Sequence, residues 1–438
     1  MSARRLTAMT PLVVCVTALS ACSLIGTSPS GAGTASTAAT PGGTVTVWDY
    51  YGSATPLKPA LAAFEKAHPE ITVNYQAYDY ETMQDKFSVA VSSADAPDLA
   101  TIDMTWLPTY AANGTLTDLT SLSGGQLNGQ PIEAQYTEGA RKAMSYQGHY
   151  VAALYDFDAY ALYYRKDILD AKHLSVPTTW DDLRSTSKAM AEDTNGDGKP
   201  DRYALQVLPD TFHFSQLLFQ NGGALVSTDG QHAAFDSEQG VAALDYMNSL
   251  LTSGGGIYWG PDQGDSSGLS GINDERIGMF LNGPYMMGVL KDGAPAQSGK
   301  WAVAPAPYAT QPGSYLGGTG LVIPTTAKNP TAAWQLAQFL LEPAQQELVY
   351  TAAGAAPATT AALASPALNN PDPYFGGVSE FSIFRDAMST ATPFPYVASW
   401  SDIDGAITDA VTSVLIGQST SQDALSAAAE RTDHDLAG

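Results

Sequence analysis

The chain has 438 residues and a formal net charge of −24, from 20 Lys and Arg against 44 Asp and Glu. Such an acidic excess disfavours nucleic acid and anionic membrane surfaces as partners, because phosphate recognition needs clustered cations. With charged residues at 15% and apolar ones at 44%, the composition is that of a folded chain, and its length predicts two lobes or more.

Arg4 and Arg5 precede an apolar run centred on Leu12 to Val16 and ending near Leu19. This has the form of a secretory signal and is too short for a stable membrane span. The run closes on Leu19-Ser20-Ala21-Cys22, which resembles the bacterial lipobox. That resemblance implies a lipoprotein signal peptide over 1–21, cleavage before Cys22 and lipidation of the Cys22 thiol. The acyl chains would hold the protein at the extracytoplasmic face of the cell membrane. Removal of Cys15 leaves a single Cys, so no intrachain disulfide is expected. Residues 22–43, rich in Ser, Thr, Gly, Ala and Pro without periodicity, read as a flexible tether.

The folded part opens with Thr44-Val45-Thr46-Val47-Trp48, a strand followed by Tyr50, Tyr51 and a Gly52 turn. Pro56 to His68 places Leu57, Leu61 and Phe64 at helical spacing. Ile71 to Tyr75 is a second strand, Glu81 to Ser93 a second helix, and Pro97 to Asp103 leads into a third strand. This alternation predicts an α/β fold with a largely parallel sheet covered on both faces. Thr179-Trp180-Asp181-Asp182 predicts a capped helix start, Asp236 or Ser237 caps another, and Asn329-Pro330 begins a third. Ser401 to Ile416 carries Ile403, Ile407, Val411 and Val414 on one stripe.

Asp193-Thr194-Asn195-Gly196-Asp197-Gly198-Lys199-Pro200-Asp201 places oxygen ligands at relative positions 1, 3, 5 and 9 with Gly at 6, like the start of a calcium loop. Position 12 is Ala204 rather than Glu, so the bidentate ligand is missing. Asp193, Asn195, Asp197 and Asp201 are therefore candidate ligands of a structural calcium, against the alternative of an Asx-rich turn. No other cofactor is required. There is no HExxH, GxSxG or P-loop, and the six His have no metal-ligand spacing. Gly317-Gly318-Thr319-Gly320 precedes an apolar strand, not a helix, which excludes a dinucleotide loop. The expectation is that the protein is not an enzyme.

Four stretches, in order, resemble the extracellular solute-binding proteins of bacterial ABC importers, in the carbohydrate-binding group that includes maltose-binding protein. They are Thr44 to Phe64, Tyr150 to Leu169 (YVAALYDFDAYALYYRKDIL), Ile277 to Gly288 (IGMFLNGPYMMG) and Gly317 to Pro343. The second departs from the family at Arg165, where Asn is usual, and the third at Tyr285, where Trp is common. The resemblance implies a two-lobe periplasmic-binding-protein-like fold with hinge crossings and an interlobe ligand cleft. One lobe would be 44–157 plus 318–370 and the other 159–314 plus 374–438. It also implies a monomer that captures a carbohydrate and hands it to the transmembrane subunits of an ABC permease.

Sugars offer hydroxyls at their edges and C–H patches on their faces, so a site needs planar aromatics and carboxylates. Tyr51 after the first strand, and Asp103 and Trp106 after the third, stand where α/β folds present ligand-facing loops. The resemblance implies Asp158 as a hinge carboxylate and Tyr285 as a stacking aromatic. Gly318 and Thr319 would offer backbone donors and a hydroxyl at the return crossing, and Trp400 would stack from the C-terminal lobe. Two rival readings are a secreted hydrolase using paired carboxylates and the same fold binding a non-sugar solute such as a polyamine.

Overall fold

The structure, a computed structural model, describes residues 42–51, 57–263, 267–377, 379–395 and 397–436. Cys22, the signal peptide and nearly all of the tether lie outside them, as do Gly52 and Pro56.

The elements that place the site run as follows: β1 (Gly43–Asp49), α1 (Lys58–Ala67), β2 (Ile71–Ala77), α2 (Tyr80–Ala90), β3 (Leu99–Asp103), β4 (Ala153–Asp158) and β5 (Ala161–Arg165). Next come α3 (Trp180–Met190), β6 (Ala204–Val207), α4 (Thr211–Gln220), α5 (Glu238–Thr252), β7 (Gly256–Tyr258), β8 (Ile277–Asn282), α6 (Met286–Gly293) and β9 (Trp301–Ala304). The chain ends with β10 (Ser314–Val322), α7 (Pro330–Leu340), α8 (Pro343–Ala353), β11 (Ala356–Pro357), α9 (Glu380–Ser389), β12 (Ala391–Pro393), α10 (Trp400–Leu415) and α11 (Ser421–Leu436).

Local chemistry accounts for many of these limits. Thr179 and Asp182 form a reciprocal capping box at α3, and Ser237, not Asp236, caps α5 through Gly240 N. Both devices satisfy backbone donors that a helix start leaves open. Leu57, Leu61 and Phe64 are buried, as are Ile403, Ile407, Val411 and Val414. Each such side chain contributes about 1.5–3 kcal/mol of hydrophobic stabilisation.

Two sheets organise the molecule. The first has the order β11-β4-β10-β3-β1-β2, with β12 beside the start of β10, and the second the order β7-β6-β8-β5-β9. Neither is largely parallel. β1 pairs in parallel with β2 and β3, and β6 with β7 and β8. β10 runs antiparallel to β3 and β4, and β5 antiparallel to β8 and β9. The antiparallel strands are those through which the chain passes between sheets, so they enter from the far side instead of returning over a helix. Only Ala159 and Tyr160 separate β4 of the first sheet from β5 of the second.

The cores follow the sheets. Val45, Val47, Phe64, Phe87, Ile102 and Leu336 pack around the first sheet. Along β5, Leu162 and Tyr164 face a core with Trp180, Phe214, Leu244 and Ile407. The alternate residues Ala161 and Tyr163 face another core, shared with Phe157 of β4 and Tyr350 of α8. This period-two division makes β5 the wall between two cores, and the second of them joins both sheets.

Candidate functional site

β1 ends on Asp49, whose fully buried carboxylate accepts hydrogen bonds from Thr101 Oγ1 (2.9 Å) and the Tyr75 hydroxyl. This anchors the turn that presents two aromatics. Tyr50 stacks on Tyr51 with ring centroids 5.0 Å apart and meets Tyr80 edge to face at 5.6 Å. Tyr80 packs on Trp106 at 4.9 Å and its hydroxyl accepts from Trp106 Nε1 at 3.1 Å. An aromatic wall thus stands at the ends of β1 and β3.

Asp103 closes that wall. Its Oδ1 accepts Thr105 N (2.8 Å) and Thr105 Oγ1 (2.7 Å), an Asx turn two residues on instead of a helix N-cap. Burial raises its pKa, opposed by the bonds from Thr105 and Tyr80.

At the crossing, the Asp158 carboxyl at the end of β4 has no hydrogen bond among the described residues. Burial holds its carboxyl well above the usual range, and Asp156 and Asp103 add repulsion. Its Oδ1 lies close to Gly283, within 2.7 Å of where a Cβ would stand, and the Tyr285 ring flanks the same spot at 3.2 Å. Tyr285 is half-buried at the head of α6, and its hydroxyl is raised by burial and then by Asp158.

The second sheet adds Asp210, the N-cap of α4, and α10 adds Asp404. Burial lifts Asp404 to about 6, with Asp210 and Asp103 contributing. Asp103, Asp158, Asp210 and Asp404 therefore converge from the two sheets, with Tyr80 and Tyr285 among them. Among the described residues, no Lys or Arg forms an ion pair with any of the four. Such a cleft accepts hydroxyl hydrogen bonds and stacks on apolar ring faces.

The remaining candidates take other roles. The Tyr51 hydroxyl bonds Asp156 and lies 2.7 Å from Thr319 Oγ1, which is 2.6 Å from the Tyr50 hydroxyl. Thr319 N donates to Asp156 Oδ1 at 2.8 Å. Thr319 and Tyr51 are thus committed to a network tying β1, β4 and β10, not to open donors. Gly318 has φ +150, and a Cβ there would overlap the Asp156 carbonyl oxygen. It is a close-approach residue of the strand pair. Trp106 is 3% exposed and supports Tyr80. Trp400 is 2% exposed and packs on Phe394 at 4.9 Å, which packs on Tyr315 at 5.0 Å. It belongs to the core behind the cleft, because its helix stripe, begun with Ile403, turns it inward.

Around the loop with Asp193, Asn195, Asp197 and Asp201, as elsewhere among the described residues, no three or more His, Cys, Asp or Glu side chains are grouped to hold an ion. The loop's oxygens accept backbone donors instead. Asp193 takes Gly196 N and Gly198 N, Asn195 takes Asp197 N, Asp197 takes Lys199 N, and Asp201 takes Thr194 N and Asn195 N.

Residue patterns alone did not point to Tyr80, Asp210 or Asp404. Asp210 had one weak signal, its place before Thr211-Phe212 at a helix start; Asp404 is one polar position beside an apolar stripe.

Comparison with known proteins bears on this geometry. Residues 51–347 match the family model described as bacterial extracellular solute-binding protein. The diacetylchitobiose binding protein DasA of Streptomyces coelicolor is 26% identical over 309 residues, covering 68% of this chain and 69% of that protein. The GacH receptor of Streptomyces glaucescens, solved unliganded and with acarbose, superposes with a TM-score of 0.79 at 24% identity, over 90% of this chain and 99% of that one. A solute-binding protein from Thermotoga lettingae bound with α-D-tagatose gives a TM-score of 0.77 at 25% identity, with the same coverage.

Proposed function

The chain belongs to the bacterial extracellular solute-binding proteins, and from this premise we propose that its interlobe cleft captures a carbohydrate for delivery to an ABC permease. The observation that carries the reading is the convergence of Asp103, Asp158, Asp210 and Asp404 with Tyr80 and Tyr285 from both sheets. Carboxylates unpaired with Lys or Arg among the described residues retain lone pairs for hydroxyl donors, and the rings supply faces for C–H patches. The ligands named for similar proteins, among them diacetylchitobiose and tagatose, support sugars over other solutes. Closure of lobes 44–157 with 318–370 and 159–314 with 374–438 would desolvate the ligand and couple occupancy to a shape the permease recognises.

Calorimetry against N,N′-diacetylchitobiose, lactose, maltotriose and monosaccharides tests this reading. A saturable heat with at least one sugar is expected; no binding across neutral sugars, together with binding of a polyamine, would transfer the cleft to a cationic solute. Asp103 and Asp158 are close enough to repel each other, the one feature a hydrolase would share. Recovery of the bound sugar uncleaved after prolonged incubation is the expected outcome.

Anchoring is proposed at Cys22, whose lipobox lies outside the described residues. No helix among the described residues is long and apolar enough to cross a membrane. Cys22→Ala should therefore release the protein from the membrane fraction, with the cleft still binding its sugar.

A further inference from the structure

His213 is 7% exposed, on the first turn of α4, and no step above uses it. Its Nδ1 lies 2.8 Å from Asp210 Oδ1 and 2.9 Å from Asp210 Oδ2, and its Nε2 lies 2.9 Å from the Leu281 carbonyl oxygen. The Leu281 carbonyl oxygen has no proton to give, and Asp210 has none while it is a carboxylate. A neutral imidazole carries one N–H and would leave one of these short approaches as a lone pair facing a lone pair. Both approaches are hydrogen bonds only when both nitrogens are protonated.

The two partners are functionally placed. Asp210 is one of the four cleft carboxylates, and it also caps α4 through His213 N at 2.8 Å. Leu281 is on β8, immediately before the Asn282-Gly283-Pro284-Tyr285 turn. Tyr163 donates to the Gly283 carbonyl at 2.8 Å and Asn282 Oδ1 accepts Gly283 N at 2.8 Å, so two hydrogen bonds hold the turn itself and His213 reaches the strand just before it.

We propose that His213 is a positioning residue: as an imidazolium it clamps the Asp210 carboxylate to the Leu281 carbonyl and so holds the acid and the Tyr285 turn in register for the ligand. The groups around the ring all favour that charge or leave it alone. Against the ring stand Asp210 on its own helix and Tyr160 at the β4–β5 crossing; Asp158, Tyr285 and Tyr315 act on Tyr160, and Asp404 feels Asp210. The Tyr160 ring packs on the imidazole at 5.0 Å. Burial disfavours the charged ring, but Asp210 and the Leu281 carbonyl override it and the pKa is raised. A raised pKa means the clamp is complete below the imidazole's ordinary value of about 6.5 and is lost as pH rises through the higher folded value.

The test begins without a ligand. In the full chain labelled with ¹⁵N-histidine, the His213 resonances, assigned by their loss in His213→Gln, should show two protonated nitrogens at pH 7. They should convert to a neutral tautomer only at higher pH. A 3-fluorotyrosine resonance at Tyr285 should shift with the same midpoint and lose that step in His213→Gln, where the amide can serve only one partner at a time as donor. A neutral His213 at pH 7, or a Tyr285 signal that ignores its titration, overturns the proposal.

The affinity arm alone rests on the carbohydrate reading. For whichever panel sugar binds, wild-type affinity should fall about tenfold between pH 7 and pH 9.5, the scale of one charge-assisted hydrogen bond. His213→Gln should be weaker by about that factor at pH 7 and nearly flat across the range. If no sugar binds, the carbohydrate reading fails while the two spectroscopic arms still decide the clamp.

Discussion

Tyr285 stands in the cleft with Asp158 beside it and Gly283 leaving room for both. A ring there covers one face of a bound sugar, so Tyr285→Ala should cost about 1–3 kcal/mol of binding, roughly tenfold to hundredfold in affinity. Tyr285→Trp should bind as well or better, because a larger face in the same turn keeps the stack. Calorimetry on both variants checks the magnitudes, and unfolding midpoints within a degree or two of wild type are the companion expectation for a half-buried cleft residue. The ring's identity as an aromatic after Gly-Pro was legible in the chain. Asp158 was legible through the family resemblance; Asp210 was not, because it is far from both in sequence and meets them only where two strand ends and a helix start coincide.

Among the elements, β10 is the one that ties the first sheet together. It pairs with β3 and β4 and shares its first residues with β12. Gly318 lies where it approaches β4 most closely, so Gly318→Ala meets both the Asp156 carbonyl and an unfavourable φ. The variant should lose about 2–4 kcal/mol of stability, read as a lower denaturant midpoint, through strain that no side-chain shift relieves. Trp400→Ala belongs to the same class for a different reason: it empties a core site at the head of α10 and should cost about 3–5 kcal/mol. Affinity per folded molecule should be nearly kept, unlike at Tyr285. Glycine runs and a Trp before a helix suggested function in the chain. Burial reassigns them, because sequence spacing reports periodicity but not which face is already covered.

Across the molecule, burial raises the pKa of several carboxyls. Asp49 is lifted to about 6, Asp156 to about 7, Asp404 to about 6 and Glu380 to about 7. In the unfolded chain these groups ionise near 4. Between about pH 4 and pH 7 the folded state therefore binds more protons, and stability falls as pH rises through that window. The ligand-free protein should show a higher melting temperature near pH 5 than near pH 8, and Asp404→Asn should reduce the difference. Capping and ion-paired carboxylates with lowered pKa, such as Asp182 and Glu275, act in the opposite sense only below about pH 4. A melting temperature that rises from pH 5 to pH 8 would contradict this assignment.

The order of elements was readable along the chain because apolar periodicity, capping residues and Pro or Gly punctuation are local physical signals. They placed β1 to β3, the α3 capping box and the α10 stripe within a few residues, and four ordered motifs pointed to the two-lobe family. Tertiary structure alone decided the rest. The antiparallel strands arise because a chain crossing between sheets enters from the far side. Tyr51 and Thr319 are drawn into a network around Asp156, and His213 finds two acceptors 3 and 68 residues away. These are facts of long-range proximity in a low-dielectric interior, where the partner across the cleft, and not the neighbour in sequence, sets what a side chain does.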